Sequence, residues 1–482
     1  MTRMSCSHLF SSRLKKGVTF CMVFFLVIWF KKVYKDSILK NYVHRRVISM
    51  KFTAAGDIII QRRIQDNFVG FEELAPFIKQ GDARFFNLET TINYEGECNS
   101  SQLSGGTYIR TNPEVLEDIK NFGFNMTSFN NNHAMDFSIG GFLKTLEYVN
   151  KSGFLHSGAG YNLAEASAPK YLETNAGRVA LIAVNTNFSP DMLAGEQTPR
   201  VPGRPGINGL RLDSYVELPK EDLEVIKRIA KETNINASKE ITRAEGYYPE
   251  LADNEAEFGE MKFVEGENSR FVRHVNKKDM ARVEKAIYEA QLQADYIIVS
   301  VHSHQLTGDK KENPSDFLEE FAHACIDMGA HAIVGHGPHL LRPIEVYKDC
   351  PIFYSLGDFV LQLYNIELAP EEFFEKYGLS AATATVHELL KKRSKDFTVG
   401  LMTDKRMFQA VIPLWETKDN KLVSLKLMPV EAAMEGNKSE IGLPRRSDGY
   451  EICEYLNKMC EPYGTRVVRE EDGILRVEWE DK

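Results

Sequence analysis

The stretch IVGHGPHLLRPIEVYKDCPIFYSLGDF, residues 333–359, decides the fold class of this chain. It begins with a short apolar run that ends at His336, and Gly337 and Pro338 separate this histidine from His339. A short apolar run bounded by turn residues is typical of a buried strand. We therefore predict a strand that ends at His336 and a tight turn that aims His336 and His339 at one point, where both bind a metal or a substrate.

The same alternation of apolar strands and amphipathic helices runs through the body of the chain. Predicted strands include KFTAAGDIII, ARFFNLE, RVALIAVNT and DYIIVSVHSH, and predicted helices include PEVLEDIKNFG, SIGGFLKTLEYVNKSG and KKDMARVEKAIYEAQLQ. This pattern predicts an α/β protein whose sheet is covered by helices on both faces. We place the domain at residues 50–430, where two terminal strands end it, and interpret residues 431–482 as a C-terminal extension.

Two segments interrupt this alternation. Residues 190–278 begin with a stretch rich in Pro and Gly and continue with an acidic stretch that has no clear period. Residues 364–396 have a helical pattern. We interpret both as insertions, the first over one edge of the domain, and predict a loop for its Pro- and Gly-rich stretch TPRVPGRPGING.

The N-terminus, residues 1–49, differs from the rest of the chain. Residues 17–30, GVTFCMVFFLVIWF, carry no charge, and pairs of lysines flank them on both sides. No small-residue cleavage site follows, so an uncleaved single membrane anchor is favoured over a signal peptide. The basic residues on both sides leave the orientation open. The alternative is a cytoplasmic protein translated from Met50, because MKFTAAGDIII resembles a natural start.

Composition and charge exclude some partners. The 482 residues include 43% hydrophobic and 26% charged residues, with a formal net charge of -9. Affinity for a nucleic acid comes from a basic surface, so we expect no nucleic acid partner. The seven cysteines are scattered without a CxxC pair, which suits free thiols in a reducing compartment.

Polar residues follow five separate apolar strands at the point where each strand ends. They are Asp57, Glu89, Asn132 with His133, His302 with His304, and His336 with His339. Taken singly, each fits a turn, a helix cap or a solvated strand end; together they predict one site outside the carboxyl ends of the strands. Carboxylate, amide and imidazole ligands suit one or two ions of Mn, Fe or Zn, and such ions support hydrolysis. Asp136, one helical turn after His133, is placed to orient its ring.

The blocks AAGDIIIQR, FFNLETTI, FNNNHAMDFS, LHSGAGYNLAEASAPKYLE, PGRPGINGLR, VSVHSHQ, VGHGPHLLRPIEVY and IFYSLGDF occur in the order found in CapA-like proteins. The chain therefore resembles the CapA-like, poly-γ-glutamate capsule synthesis (PGA_cap) family over roughly residues 51–429. That family is related to calcineurin-like metallophosphoesterases. The resemblance implies a four-layer α/β/β/α sandwich with the site at one edge of two sheets.

The resemblance also implies roles for individual residues. The implied metal ligands are Asp57, Glu89, Asn132, His302, His336 and His339. His133 would protonate the leaving group beside Asp136, and Arg62, Asn87 and His304 would contact the substrate. The chain departs from the phosphoesterase pattern at two positions, because Ile59 stands where Asp-x-His has its histidine and the bridging carboxylate is Glu89 rather than an aspartate.

Three functions remain open at this point. The first is a CapA-like protein in the synthesis or export of an anionic γ-glutamyl polymer, as a metal-dependent hydrolase. The second is a metallophosphoesterase that acts on a small phosphate ester. The third is a non-catalytic subunit that binds the polymer or assembles with other subunits of a capsule-synthesis complex.

Overall fold

The structure, a computed structural model, describes residues 48–104 and 106–480. The strands in this part are β1 (Ser49–Ile59), β2 (Ala83–Leu88), β3 (Thr91–Ile92), β4 (Arg110–Thr111), β5 (Met126–Ser128), β6 (Leu155–Ser157), β7 (Ala159–Gly160), β8 (Lys170–Glu173), β9 (Arg178–Asn185), β10 (Gly206–Ile207), β11 (Leu212–Leu218), β12 (Glu255–Phe258), β13 (Met261–Glu265), β14 (Arg270–Val275), β15 (Tyr296–His302), β16 (Ala332–His336), β17 (Ile344–Tyr347), β18 (Cys350–Phe353), β19 (Asp358–Leu361), β20 (Gln409–Lys418), β21 (Lys421–Ala432), β22 (Pro444–Arg446), β23 (Thr465–Arg469) and β24 (Leu475–Trp479). The α-helices are α1 (Val69–Ile78), α2 (Val115–Asn121), α3 (Ser138–Ser152), α4 (Leu163–Ser167), α5 (Lys220–Thr233), α6 (Ala237–Ala244), α7 (Lys277–Gln291), α8 (Asp316–Asp327), α9 (Glu371–Lys376), α10 (Val386–Arg393) and α11 (Tyr450–Cys460).

The larger of the two main sheets is built around β1. Its strand order is β23-β24-β21-β20-β1-β2-β5-β6, with β19 also paired to β1 and β22 to β21. β1 is parallel to β2 and β19 and antiparallel to β20. Nine of its eleven residues are buried, as expected for a central strand covered on both faces.

The second main sheet has the order β17-β18-β16-β15-β9-β8. β15 lies at its centre, parallel to both β9 and β16, and all seven of its residues are buried. The predicted strand that ends at His336 is β16 and is confirmed.

The two main sheets contact each other directly through aromatic side chains. Phe52 on β1 stacks on Tyr296 of β15, with ring centroids 4.1 Å apart. The ring centroids of Trp415 on β20 and Phe353 on β18 lie 5.4 Å apart. Trp415 also donates its indole N–H to the Tyr296 hydroxyl. Helices α1 to α3 contribute to the apolar core of the first sheet, and α7 and α8 to that of the second. The protein is therefore a mixed α/β fold.

The first predicted insertion is more regular than the sequence indicates. It contains α5, α6 and a separate four-stranded sheet in the order β12-β13-β11-β14. These strands show no clear period in the sequence because they are short and only half-buried. The second insertion contains α9 and α10, which form a small apolar cluster of their own.

The residues after 430 are part of the main fold. β21 continues to Ala432, and β22 and β24 pair with it, so the boundary that we predicted at residue 430 lies within a strand. The described residues from Ser49 to residue 480 form one compact unit. The cysteines of the described residues are all free thiols.

The prediction of a membrane anchor needs correction. The stretch on which it rests, residues 17–30, lies outside the described residues. Within residues 48–104 and 106–480, no helix is long and apolar enough to cross a membrane. The membrane localisation is therefore without structural support.

Candidate metal site

Strand register brings the predicted site residues together at the carboxyl ends of both main sheets. His302, the last residue of β15, pairs with His336, the last residue of β16. In the other sheet Asp57 pairs with Asn87 on β2 and with Asp358 on β19. Because neighbouring strands lie about 4.8 Å apart, these pairings place the side chains within reach of one another.

Asp57 is fully enclosed and held by two donors. The Asn87 side-chain amide donates to Asp57 Oδ1 at 2.6 Å, and the backbone N–H of Gly337 donates to Oδ2 at 2.8 Å. Gly337 has a φ of +117° and belongs to the turn that we predicted between His336 and His339. The Nδ1 atom of His336 lies 3.5 Å from Asp57 Oδ1. Asn87 therefore orients a carboxylate, which differs from the substrate contact expected for it.

The imidazole nitrogens converge closely. His302 Nδ1 lies 2.9 Å from His336 Nδ1, and His302 Nε2 lies 3.0 Å from His304 Nε2. The side-chain oxygen of Asn132 lies 2.8 Å from His302 Nε2 and 3.2 Å from His304 Nε2. Two nitrogens that bind one metal ion at about 2.0–2.1 Å lie about 2.8–3.4 Å apart when the angle at the metal is between about 90° and 110°. The observed separations match that requirement.

Glu89 is the clearest sign of an ion. Its side chain is fully buried, and within residues 48–104 and 106–480 no group donates a hydrogen bond to either carboxylate oxygen. The nearest basic atom among its described ion pairs is His302 Nε2, 3.8 Å from Oε1. A buried carboxylate without donors is costly, and a cation bound beside it would offset that cost.

The electrostatics of the metal-free site follow from burial and crowding of like charges. Burial and the neighbouring Asp358 carboxylate raise the pKa of Asp57 to about 7. Burial, followed by the charges of Asp57 and Asp358, raises the pKa of Glu89 well above its usual value. Burial lowers the pKa of His336 to about 3 and depresses the pKa of His302. Neutral imidazoles next to carboxylates that repel one another form a donor set that a divalent cation would stabilise.

His133 and Asp136 form a second pair at the site. His133 Nδ1 lies 2.7 Å from Asp136 Oδ2, and the backbone N–H of Ile109 donates to the same oxygen. Asn131 accepts from the His133 backbone N–H and donates to the carbonyl of Leu88. These contacts fix the ring through Nδ1 and leave Nε2 available for proton transfer.

Sequence reasoning missed Asp358. The Oδ1 atom of this buried residue lies 3.1 Å from His339 Nδ1. Burial opposes protonation of the His339 ring, but the charges of Asp358 and Asp57 outweigh it and raise the pKa of His339. The 337–339 turn thus places the imidazole of His339 close to Asp57. Ile59 occupies the position at which the Asp-x-His motif has its histidine. The repeated Gly-Asp in AAGDIII and SLGDFVL was the signal that could have identified Asp358.

Arg62 is the predicted site residue that the structure does not bring into this cluster. Its backbone N–H donates to the side-chain oxygen of Gln362, and its guanidinium lies 3.7 Å from Glu367. Arg62 instead lines a separate cavity beyond the end of β1.

Among the described residues, three overlapping groups of side chains offer ligand atoms close enough together for a metal ion. They are Asp57 with His302 and His336, Glu89 with His302 and His304, and Asp57 with Glu89 and His339, and within each group the ligand atoms lie within 4.8 Å of one another. The buried carboxylates and the unpartnered oxygens of Glu89 fit such an ion. His304, predicted as a substrate contact, is among these potential ligands.

Comparisons with known proteins agree on one family. The sequence model of "Bacterial capsule synthesis protein PGA_cap" matches residues 51–363. The protein y4sH of Sinorhizobium fredii is 30% identical over 437 residues, which cover 88% of this chain and 92% of that protein. The PGA biosynthesis protein CapA of Bacillus subtilis is 25% identical over 323 residues, 65% of this chain and 63% of CapA.

A hypothetical protein from Thermus thermophilus has a solved structure that matches with a TM-score of 0.35 and 11% identity, over 79% of this chain and 99% of that one. That score supports no argument about the fold. The family match, by contrast, extends over more than half of the chain and includes every residue of the metal cluster. The chain belongs to the PGA_cap family of bacterial capsule synthesis proteins.

Proposed function

We propose that this protein is a metal-dependent hydrolase that acts on an amide-linked γ-glutamyl polymer during capsule synthesis or export. The observation that carries the proposal is the buried Glu89 carboxylate, whose two oxygens lack partners among converging imidazoles. The CapA relative, whose printed name assigns it to PGA biosynthesis, supports the substrate class. Other subunits of a capsule-synthesis complex are the expected protein partners.

The residues of the cluster suit one or two ions of Mn, Fe or Zn. Asp57, Glu89 and His302 each belong to two of the three potential ligand groups, so these residues would be the central ligands of a bound ion. When bound, such an ion supplies Lewis-acid polarisation of an acyl or phosphoryl oxygen and makes water more acidic. The mixture of oxygen and imidazole ligands is the basis for this choice of metals.

The chain's own residues orient the substrate and transfer the proton. Asp136 holds the His133 ring through Nδ1, and Nε2 passes a proton to the leaving group. His133 is almost fully buried, whereas Asn132, His304 and His339 are partly exposed and form the mouth of the site. A substrate therefore approaches along these three residues.

We also infer that the two main sheets are the inner layers of a four-layer α/β/β/α sandwich. The stacking of Phe52 on Tyr296 between the sheets supports this arrangement. Further support comes from the helices, since α1 to α3 pack on one sheet and α7 and α8 on the other.

Two histidine variants test the roles assigned to the site. The His133→Ala protein is expected to keep its metal and to lose turnover by about 100-fold or more, the scale of general acid catalysis. The His339→Ala protein is expected to lose metal as well as activity, because a ligand is removed. Metal content is measured by elemental analysis, and turnover with a γ-glutamyl polymer and with a generic phosphodiester. The control is His274→Ala, a half-exposed histidine on β14 of the inserted sheet, which should change neither quantity.

The outcomes separate the three candidate functions. Turnover of the phosphodiester alone would favour a phosphoesterase of small esters. Normal metal binding with no turnover of either substrate would favour a non-catalytic assembly subunit. Loss of metal from the His133→Ala protein would make His133 a ligand and contradict its assigned role.

A further inference from the structure

His304 lies two residues after the end of β15, in a loop of residues 303–315 that leads to α8. Its Nε2 atom lies 3.0 Å from Nε2 of His302 and 3.2 Å from the side-chain oxygen of Asn132. Glu89 belongs to the same group of potential ligands, and its Oε1 atom lies 3.8 Å from Nε2 of His302. An ion bound at that nitrogen would therefore have His304, Asn132 and Glu89 as further ligands.

Hydrogen bonds hold the chain on both sides of His304. Before it, the Ser303 N–H donates to the carbonyl at the end of β16, which continues the pairing of β15 with β16. After it, the backbone carbonyl of Gln305 accepts a bond of 2.9 Å from Nη2 of Arg342. The Gln305 side chain also exchanges hydrogen bonds with Thr186. The direction of the His304 ring therefore depends on bonds made by its two neighbours in the chain.

Arg342, in the segment between β16 and β17, joins this loop to the core. Its side chain is fully buried, and its Nε atom donates to the carbonyl of Lys311 at 3.1 Å, in addition to the bond from Nη2 to Gln305. Its backbone N–H donates to the Ser355 carbonyl, which fixes the base of the side chain. One guanidinium thus holds two points of the loop, at residues 305 and 311.

The charge of Arg342 has no paired carboxylate in the part of the chain that the structure describes. Its hydrogen bonds there go to the two loop carbonyls, and Nη1 has no partner. Burial lowers the pKa of Arg342 to about 10, so the group stays charged at neutral pH. A buried charge is costly unless it is hydrogen-bonded, and the loop carbonyls therefore offset part of that cost.

The outer part of the loop has no apolar core of its own. Residues 307–311 are exposed, and some of them line two cavities of about 460 and 480 Å³. Further contacts of the loop run from Arg273 to the Leu306 carbonyl and from Arg406 to Glu312. A segment with little buried apolar surface depends on such bonds for its position. The bond to the backbone of the residue after the histidine comes from the buried guanidinium.

We propose that His304 is a ligand of the ion that Glu89 and His302 bind. Arg342 is a positioning residue, which holds this histidine at the ion by fixing the loop. The inference rests on the proposed function, because the ion is the one that the hydrolase uses. Its specific consequence is that Arg342 acts on the metal through His304.

The test titrates Co²⁺, whose visible absorption reports on its ligands, into the metal-free full chain. His304→Ala and Arg342→Met should each weaken Co²⁺ binding about 10-fold or more and change the absorption of the bound ion in the same way. Methionine occupies most of the space of arginine but donates no hydrogen bond. The double variant should bind Co²⁺ at most about 3-fold more weakly than His304→Ala alone, since the ligand through which the arginine acts is already absent.

Arg84→Met is the matched control. Arg84, near the start of β2, likewise donates to two backbone carbonyls, those of Gly81 and Gly123. This variant should lose stability, measured as melting temperature, and bind Co²⁺ like wild type. Arg342→Lys keeps the charge and one donor group, so it should recover part of the affinity that Arg342→Met loses. If Arg342→Met does not fold, the comparison with and without His304 is made with Arg342→Lys.

Each outcome supports or overturns the inference. Wild-type affinity and absorption in the His304→Ala protein, or no Co²⁺ binding by wild type, would overturn it. So would additive losses in the double variant, equal weakening by Arg84→Met, or an Arg342→Lys protein that binds like wild type when Arg342→Met does not fold.

Turnover of a γ-glutamyl polymer by the wild-type protein is measured separately. Non-additive losses in a protein without turnover would support the inference and reject the hydrolase. Turnover together with additive losses would support the hydrolase and reject the inference.

Discussion

At the scale of single residues, the buried Glu89 carboxylate favours metal binding but lowers the stability of the metal-free protein. Its carboxylate is enclosed next to Asp57 and Asp358, and it receives no hydrogen bond from the part of the chain that the structure describes. An ionised group in such a place costs free energy in the metal-free fold. The same lack of donors leaves both oxygens available to an ion. The feature that destabilises the metal-free fold therefore also favours metal binding.

We therefore predict that Glu89→Gln stabilises the metal-free protein and weakens its response to metal. Because the pKa of Glu89 is raised in the fold, the folded state binds more protons than the unfolded one between about pH 4.5 and the raised pKa. Wild-type stability from this group is thus lost as pH rises through the folded pKa, whereas the variant has no carboxylate to ionise. Above neutral pH the gain in unfolding free energy should be roughly 1–3 kcal/mol.

Chemical denaturation at a series of pH values, with and without added Mn²⁺ or Zn²⁺, measures both effects. The wild-type protein should gain stability on metal addition, and the Glu89→Gln protein should gain much less. A variant that is less stable than wild type at high pH, yet equally stabilised by metal, would contradict the assignment of Glu89 as a ligand.

At the scale of elements, the site depends on the close approach of β1 and β19. The pairing of Asp57 with Asp358 coincides with a register shift in β1, where Gly56 faces Gly357. A Cβ atom on Gly56 would lie 1.9 Å from the Gly357 carbonyl oxygen, which is closer than two atoms can approach without a shift of backbone. The two Gly-Asp dipeptides are therefore needed as a pair.

Gly56→Ala is predicted to separate the two strands and so to impair metal binding. We expect a loss of unfolding free energy of about 2 kcal/mol or more, together with reduced metal content. The matched control is Gly140→Ala on α3, where the nearest atom to a Cβ is the Cys98 sulfur at 3.6 Å. That change should be neutral or stabilising by about 0.5–1 kcal/mol, because alanine favours a helix over glycine. Thermal unfolding measures the stability of both variants, and elemental analysis measures their metal content. If the two variants have equal stability and equal metal content, the close approach of β1 and β19 is not required.

At the scale of the whole molecule, the C-terminal residues complete the larger sheet. β24 pairs with β21, and β23 pairs with β24 at the edge of that sheet. Val467 is buried, and the Thr465 hydroxyl donates to the Ile344 carbonyl of β17 in the second sheet. The last strands thus contact both main sheets.

Two substitutions at neighbouring positions of β23 test whether the C-terminal strands unfold together with the main sheets. Val467→Asp would bury an unpaired charge, and we expect a loss of at least about 3 kcal/mol across one cooperative unfolding transition. Arg466→Asp, on the exposed face of the same strand, should change stability by less than about 1 kcal/mol. Calorimetry would contradict the prediction if Val467→Asp removed a separate small transition and left the main one unchanged.

The sequence by itself determined the α/β class and predicted most residues of the candidate metal site. Apolar periodicity locates β1, β15 and β16, and ligand-type residues at their ends predict a common edge because these signals are local in the chain. The tertiary structure alone decided which groups lack partners and which strands become neighbours. Three features depend on the register between segments that are far apart in the chain. They are the lack of a donor to Glu89 among the described residues, the pairing of Asp57 with Asp358, and the position of β24 beside β21. Local sequence does not encode that register, since it is set by how the two sheets pack.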